Sequence, residues 1–194
     1  MNTSVSTDST STTERILSGL PLRMSARRVR HVQGVMRTAD DLAARFGIDR
    51  HRARLAAVAH DMDRELSPGR VLALVADWGI PASPLERREP KLLHGKVSAE
   101  RLRREYGVTD RELLDAVAHH TLGAEDFGAL GLVLYVADFC EPGRTHLPDH
   151  ERRAILDLPS LEDMVTGIIA ISADRFGALA PETVALRERV RRRE

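Results

Sequence analysis

The sequence predicts an all-α protein with a single domain, and three observations support this prediction. Residues that favour helices, above all alanine, leucine and arginine, dominate the chain. Apolar residues recur at helical spacing, whereas the alternation typical of half-buried strands is absent. Glycine, proline and capping residues divide the chain into helix-length segments. The 194 residues suffice for one sizeable hydrophobic core, and no internal repeat indicates a second unit.

Composition excludes some functions and favours a cytoplasmic location. Lys plus Arg and Asp plus Glu both number 29, so the basic excess typical of a general nucleic-acid-binding protein is missing. Cys140 is the single cysteine, which rules out an intramolecular disulfide and fits a reducing compartment. No apolar run approaches the ~20 residues of a membrane span, and the N-terminus does not resemble a signal peptide. We therefore expect a cytoplasmic protein that binds neither membranes nor nucleic acids.

The N-terminal segment is predicted to differ from the rest of the chain. Residues Met1 to Thr13 are rich in serine and threonine and can bury little apolar surface, which predicts disorder. The predicted domain covers residues 14–194 and opens with a short helix from Glu14 to Leu20.

Capping and helix-breaking residues define the predicted helices of the first half of the chain. These helices are predicted from Ser25 to Phe46, from Asp49 through His60 and Asp61, and from Ser67 to Gly79. Ser67 is a good N-cap with Pro68 in the first turn, and Gly47 supplies a left-handed cap.

The second half is predicted to continue with helices. They run from Lys91 to Tyr106, from a Thr109–Glu112 capping box through His120, from Leu130 to Ala137, from Leu161 to Leu179, and from Pro181 onward, with a loop from Pro81 to Pro90. The run from Leu130 to Ala137 could be a buried strand or a buried helix. We favour a helix because no partner strand is visible.

Six metal-competent residues recur at long intervals on buried faces or ends of the predicted helices. They are His31, His60, Asp61, His94, His120 and Asp138. Imidazole and carboxylate suit divalent iron, manganese and zinc, and one carboxylate can bridge two cations that together clamp a phosphate. Asp138 ends a run of eight apolar residues, where an unpaired carboxylate would cost several kcal/mol if buried.

Each of these residues also has an ordinary interpretation. A His-Asp dipeptide is usually incidental, an inward histidine is usually a core residue with a hydrogen bond, and Asp138 could end a helix in solvent. The hypothesis of a metal site depends on all six occurring together. His51, His146 and His150 lie among polar residues and are predicted to be on the surface.

Four local strings resemble one known family. The order His31, His60-Asp61, distant His and distant Asp resembles the HD-domain metal-dependent phosphohydrolases. The strings Arg28-Val29-Arg30-His31-Val32-Gln33-Gly34-Val35, Leu93-His94-Gly95, His120-Thr121-Leu122-Gly123 and Ala137-Asp138-Phe139-Cys140-Glu141-Pro142-Gly143-Arg144 are similar to the YqeK-type branch. The resemblance covers roughly Ser18 to Leu179. It implies a single HD-domain helical bundle with a buried metal centre that cleaves diadenosine tetraphosphate symmetrically into two ADP, using a di-iron centre and a metal-activated hydroxide.

The resemblance also implies residue roles. His31, His60, Asp61 and Asp138 would hold one metal, and Asp61 would bridge to a second metal completed by His94 and His120. Asp61 and Arg64 are the catalytic candidates, and Arg144, Arg28, Lys96, His119 and Thr121 are the candidates for substrate binding. Arg64 stands where the family commonly has lysine, which puts a role as an acid in doubt because arginine does not readily donate a proton. Phe139 is often polar in relatives and could alter the pocket wall.

Several alternatives stay open from the sequence. The chain could hydrolyse another nucleotide or phosphoanhydride, act as a nucleotide-binding regulator without turnover, or be a structural domain without metal. The residues do not identify the metal, and iron comes from the resemblance alone, with manganese or zinc as alternatives. A homodimer is a further expectation.

Overall fold

The computed structural model describes residues 5–145 and 147–192, which form eleven α-helices joined by short turns and two 3₁₀ turns. The helices are α1 (Val5–Gly19), α2 (Ala26–Phe46), α3 (Arg50–Ala59), α4 (Pro68–Trp78), α5 (Pro84–Arg88), α6 (His94–Tyr106), α7 (Arg111–His119), α8 (Ala129–Cys140), α9 (Asp149–Leu156), α10 (Leu161–Phe176) and α11 (Pro181–Arg191). The 3₁₀ turns are Leu20–Leu22 and Pro90–Leu93. The predicted all-α fold class is therefore confirmed.

Capping residues begin and end the helices where the sequence predicts. The side chains of Ser25, Asp49 and Ser67 accept hydrogen bonds from backbone N–H groups in the first turns of α2, α3 and α4. Gly47 and Gly79 adopt the left-handed conformation, with φ of 68° and 66°, and end α2 and α4. Local hydrogen bonding therefore fixes these boundaries.

The first helix begins earlier than predicted. Helix α1 starts at Val5, so the predicted start at Glu14 lies inside it, and the part of the predicted disordered segment from Val5 to Thr13 is helical. Thr12 and Thr13 are buried, and α1 packs against α3 through a core that includes Ile16. The small helix penalty of serine and threonine is thus offset by packing. Residues Met1 to Ser4 lie outside the described residues.

Three further details differ from the sequence prediction. Ser83 and Glu86 form a capping box that begins α5 inside the predicted loop, and α9 was not predicted. The N-cap of α7 is Asp110 rather than Thr109. Glu112 does not close a capping box but forms an ion pair with Arg52, because that guanidinium spans both Asp110 and Glu112.

Helix α8 is the central element of the core. All residues of its run from Leu130 to Ala137 are buried, and it packs against α2, α3, α7, α9 and α10. Helix α2 in turn packs against α3, and α6 packs against α7. Burying each large side chain contributes about 1.5–3 kcal/mol. The C-terminal end of α8 is therefore held in the interior, beside α2, α3 and α7.

A smaller apolar cluster attaches the outer helices. It consists of Val71, Leu74, Leu93 and Val97, and joins α4 to α6. None of the helices in the described part of the chain is both long and apolar enough to cross a membrane.

We predict that Gly123 is more sensitive to substitution than Gly107. Both have a positive φ (80° and 70°), so alanine is strained at either position by about 1–2 kcal/mol. At Gly123 a Cβ would also lie 2.5 Å from Cδ2 of the fully buried Leu186 in α11, whereas nothing lies within 4 Å at Gly107. In urea unfolding, Gly123→Ala should lower the midpoint further than Gly107→Ala. Equal losses would contradict tight packing of α11 on this turn.

Candidate metal centre

The six metal-competent residues converge in the interior, as the sequence predicts. His31 comes from α2, His60 and Asp61 follow α3, His94 begins α6, His120 follows α7, and Asp138 lies near the end of α8. His60, Asp61, His94 and His120 are at most 3 % exposed, and His31 and Asp138 are half-buried. Helix ends thus deliver most of the side chains, so residues far apart in sequence meet at one point.

One carboxylate lies between two sets of imidazoles. The Oδ2 atom of Asp61 is 3.5 Å from Nε2 of His31 and 3.4 Å from Nε2 of His60. Its Oδ1 atom is 3.0 Å from Nε2 of His94 and 3.8 Å from Nε2 of His120. Each oxygen of Asp61 therefore faces a different pair of histidines.

Asp138 completes the first of these sets. Its Oδ1 atom is 3.1 Å from Nε2 of His31 and 3.7 Å from Nε2 of His60. The potential ligand atoms of His31, His60 and Asp138 all lie within 4.8 Å of one another, as do those of His60, Asp61 and His120. Both groups meet the spacing that a bound cation requires.

Hydrogen bonds on the far side orient all four imidazoles. The Nδ1 atoms of His60, His94 and His120 lie 2.6, 2.6 and 2.8 Å from the backbone carbonyl three residues earlier. Nδ1 of His31 is 3.0 Å from Oε1 of Glu141. A carbonyl or carboxylate only accepts, so each Nδ1 carries a hydrogen, and in its neutral form each ring directs the lone pair of Nε2 inward.

This arrangement fits divalent cations. With Nδ1 protonated, Nε2 of His94 and Nε2 of His120 are both acceptors and yet lie 3.1 Å apart. Nε2 of His31 and Nε2 of His60 are buried without a hydrogen-bond partner. Buried lone pairs that face one another are costly unless a positive charge lies between them. The donor set therefore matches what imidazole-binding metal ions require.

The protonation states of the buried groups support the same conclusion. Burial, together with the neighbouring His60 and His94, lowers the pKa of His120 to about 3, so its ring is neutral near pH 7. Burial acts to raise the pKa of Asp61, but the adjacent His60 and His94 hold it well below its usual value. Burial acts similarly on Asp138, whose pKa Arg144 and His31 hold well below the usual range. Burial acts to lower the pKa of His31, but its contacts with Asp138 and Glu141 raise it. Near pH 7 the centre thus combines a neutral His120 with the ionised carboxylates of Asp61 and Asp138.

Three of the predicted substrate-binding residues lie beside the six. Nη1 of Arg28 donates a hydrogen bond to Oδ2 of Asp61 at 2.7 Å. Arg144 donates through Nη2 to the carboxylate of Asp138 and through Nε to its backbone carbonyl. Thr121 Oγ1 is 3.2 Å from Nε2 of His120.

The other candidates lie elsewhere or make no polar contact. Lys96 forms a 2.8 Å ion pair with Glu86 and, with His119, lines a different cavity of about 460 Å³. The backbone N–H of Arg64 donates to the carbonyl of Asp61, but its guanidinium has no hydrogen bond or ion pair with the described residues. His51 and His150 are exposed as predicted, and His146 lies outside the described residues.

Sequence reasoning missed the role of Glu141. Its buried carboxylate holds His31 and accepts a hydrogen bond from the Gly143 N–H at 2.6 Å. A Cβ at Gly34 of α2 would lie 2.5 Å from Oε2 of Glu141, so this close approach needs glycine. The signal was present, since Glu141 belongs to the string Ala-Asp-x-x-Glu-Pro-x-Arg.

Asp63 was missed as well. It is 2 % exposed, forms an ion pair with Arg101 at 2.9 Å, and its N–H donates to Oγ of Ser98 at 3.1 Å. These bonds attach the turn that follows His60 and Asp61 to α6, and so fix the position of the Asp61 carboxylate.

Comparison with known proteins identifies the family. The HD domain family model matches residues 28–143, and the chain therefore belongs to the HD-domain family. Within it, the chain is related to the YqeK-type symmetrical tetraphosphatases. The protein named "Bis(5'-nucleosyl)-tetraphosphatase, symmetrical" from Bacillus subtilis (strain 168) is 37 % identical over 131 residues, which cover 68 % of this chain and 70 % of that protein. The predicted resemblance, and with it the class of HD-domain phosphohydrolase, is confirmed.

Two further comparisons agree. The protein of the same name from Staphylococcus aureus (strain NCTC 8325 / PS 47) is 31 % identical over 63 % of this chain and 63 % of its own length. The crystal structure of a predicted HD superfamily hydrolase involved in NAD metabolism from Clostridium acetobutylicum superposes with a TM-score of 0.82 at 27 % identity. It covers 93 % of this chain and 97 % of that one, so the likeness includes the helices outside the HD domain match.

We predict that Glu141 controls metal affinity through His31. Glu141→Ala removes the acceptor that orients the imidazole and should weaken binding of a divalent metal about 10–100-fold. Glu141→Gln keeps an acceptor oxygen and should lose less. Competition with a chelator, followed by elemental analysis, measures this. Equal affinity of wild type and Glu141→Ala would contradict the role assigned to Glu141.

Proposed function

We propose that this protein hydrolyses diadenosine tetraphosphate, or a closely related dinucleoside polyphosphate, symmetrically into two nucleoside diphosphates. The observation that carries the proposal is the position of Asp61 between two pairs of inward-facing imidazoles. Such a centre suits two divalent cations, and the similarity to the symmetrical bis(5'-nucleosyl)-tetraphosphatases of B. subtilis and S. aureus supplies the substrate class. Iron is proposed from the resemblance. The cytoplasmic location and the homodimer stay predictions.

The ligand sets follow from the geometry around Asp61. His31, His60, Asp61 and Asp138 would hold one cation, and Asp61, His94 and His120 the other. When bound, such cations lower the pKa of water and offset charge on phosphoryl oxygens. Near pH 7 His120 is already neutral and Asp61 and Asp138 are already ionised, so these three groups bind a cation without losing a proton, whereas Asp138 and Glu141 raise the pKa of His31 against the effect of burial.

The chain's own cations would hold the phosphates. Arg28 and Arg144 contact the carboxylates of Asp61 and Asp138, so their guanidinium groups lie at the edge of the centre, where a polyphosphate must enter. Arginine offers two parallel N–H donors to a phosphate. Arg64 would add positive charge from the turn after Asp61. Its guanidinium is not otherwise engaged by the described residues and is a poor proton donor.

A second cavity beside the centre suits a nucleoside. It has a volume of about 520 Å³ and is bounded by Asp138, His120 and Thr121 on one side. Apolar groups of Tyr135, Phe139 and Leu179 form another wall. Aromatic rings can stack on an adenine base.

In the proposed reaction, water adds to one phosphorus of the central P–O–P linkage. The bond from the bridging oxygen to that phosphorus breaks, and each half leaves as a nucleoside diphosphate.

The proposal predicts a defined product pattern. Metal-loaded protein should convert diadenosine tetraphosphate into two ADP, resolved by chromatography, and elemental analysis should find two metal ions per chain. A chelator should abolish turnover, and added metal should restore it. ATP plus AMP would refute symmetrical cleavage, and tight binding without turnover would favour a regulatory nucleotide-binding protein.

We predict that Asp61→Asn lowers turnover by at least about a hundredfold, because an amide replaces the charged oxygens that face both imidazole pairs. Asp41→Asn is the matched control, since Asp41 is exposed on α2. The rate and the bound metal are measured together on each variant. If Asp61→Asn retained full activity and both metals, the assignment of Asp61 as a bridging ligand would fail.

A further inference from the structure

Three exposed arginines of α2 line a cavity next to the metal centre. Arg27, Arg30 and Arg37 border a space of about 520 Å³ whose inner wall includes His31. Positions 30 and 37 are about two helical turns apart, so they share one face of α2. All three side chains are exposed, and no side-chain hydrogen bond or ion pair joins them to the described residues.

Some arginines elsewhere on the surface are paired with carboxylates, unlike these three arginines of α2. Arg50 is paired with Asp40, and Arg52 bridges Asp110 and Glu112. The one carboxylate on the wall of the arginine-lined cavity belongs to Glu141, and it is already bonded to His31 and to the Gly143 N–H. The three arginines therefore give the cavity an excess of positive charge, which Glu65 offsets only in part near Arg27, although the net formal charge of the chain is zero.

The cavity continues into the centre through two further arginines. Arg28 and Arg144 also line it, and they contact Asp61 and Asp138 directly. The Nε atom of Arg28 is buried and has no hydrogen-bond partner. The two guanidinium groups extend the positively charged wall of the cavity to the carboxylates of the centre, and such groups are suited to bind an anion.

Arg144 also lines the second cavity, the one with Tyr135 and Phe139. Two cavities of different character therefore meet at Arg144. One is rich in guanidinium groups and lies on the side of His31. The other presents aromatic and aliphatic side chains and lies on the side of His120.

We propose that Arg27, Arg30 and Arg37 form a polyphosphate subsite on the His31 side of the metal centre. The phosphates on one side of the scissile bond lie against these arginines, and the nucleoside of the other half occupies the cavity at Tyr135 and Phe139. The subsite favours substrates with several phosphates over those with one. This inference rests on the proposed function for its substrate, and its test is designed to be separable from it.

The probe is inorganic tripolyphosphate, with inorganic phosphate as the short comparison. Calorimetry with metal-loaded protein should give a tripolyphosphate affinity that falls about 10–100-fold in the double variant Arg30→Gln/Arg37→Gln. Affinity for inorganic phosphate should change less than about twofold, because one phosphate is held by Arg28 and Arg144. Added salt should weaken tripolyphosphate binding less in the variant than in wild type. Arg70→Gln, at an exposed position of α4 outside the cavity, is the matched control and should change neither affinity.

Turnover gives a second readout. In the double variant the KM for diadenosine tetraphosphate should rise about tenfold or more with kcat nearly unchanged, since the arginines bind substrate and transition state alike. Unaltered tripolyphosphate affinity in the double variant would overturn the subsite, as would an equal loss in Arg70→Gln. If wild type lacks turnover of the dinucleotide, the proposed function fails, while the tripolyphosphate affinities still decide the subsite.

Discussion

The site depends on the orientation of four imidazoles by acceptors that the backbone and Glu141 hold in place. Three histidines donate to the carbonyl three residues earlier, and His31 donates to Glu141. Each Nδ1–H is thereby engaged, so each ring in its neutral form presents the Nε2 lone pair to the same buried space. A polar cluster of this kind is unfavourable in isolation, because lone pairs and carboxylates gather where water is scarce. Packing of the surrounding helices holds these groups together.

That support comes from an apolar helix and from helix ends. The buried run of α8 fixes the depth of Asp138, and packing of α2 and α3 on α8 brings His31 and His60 to it. The ends of α3 and α7 supply both an imidazole of the proposed metal site and the carbonyl that orients it, since His60 and His120 each follow the final residue of their helix. The free carbonyls of a helix C-terminus, which otherwise need a partner, are thus used to hold metal-binding side chains.

The sequence predicts the fold class and the six convergent residues well because both rest on local chemistry. Helix starts such as Ser25 and Ser67 depend on neighbouring backbone groups, and an apolar run ending in Asp138 is visible without knowledge of the fold. Long-range contacts were missed. Packing against α3 extends α1 back to Val5, and Arg52 of α3 draws Glu112 away from a capping box. The role of Glu141 depends on the approach of α2 at Gly34, and Lys96 pairs with Glu86 on the wall of a different cavity. No periodicity in the chain carries that information.

The formal net charge of this protein is zero, but its charged side chains are unevenly distributed. Arg52 and Arg101 are engaged by carboxylates that fasten helix ends and turns, so their charge serves the fold. Arg28 and Arg144 are engaged by the carboxylates of the centre itself, and these are the carboxylates that a cation would share. Binding of cations there would compete with the guanidinium groups for Asp61 and Asp138, leaving more of each arginine's hydrogen-bonding capacity for a phosphate. The same residues can therefore satisfy the buried acids before cations bind and the substrate's anions afterwards. A neutral composition, which argues against general binding of nucleic acids, is for this reason compatible with recognition of a highly charged small nucleotide.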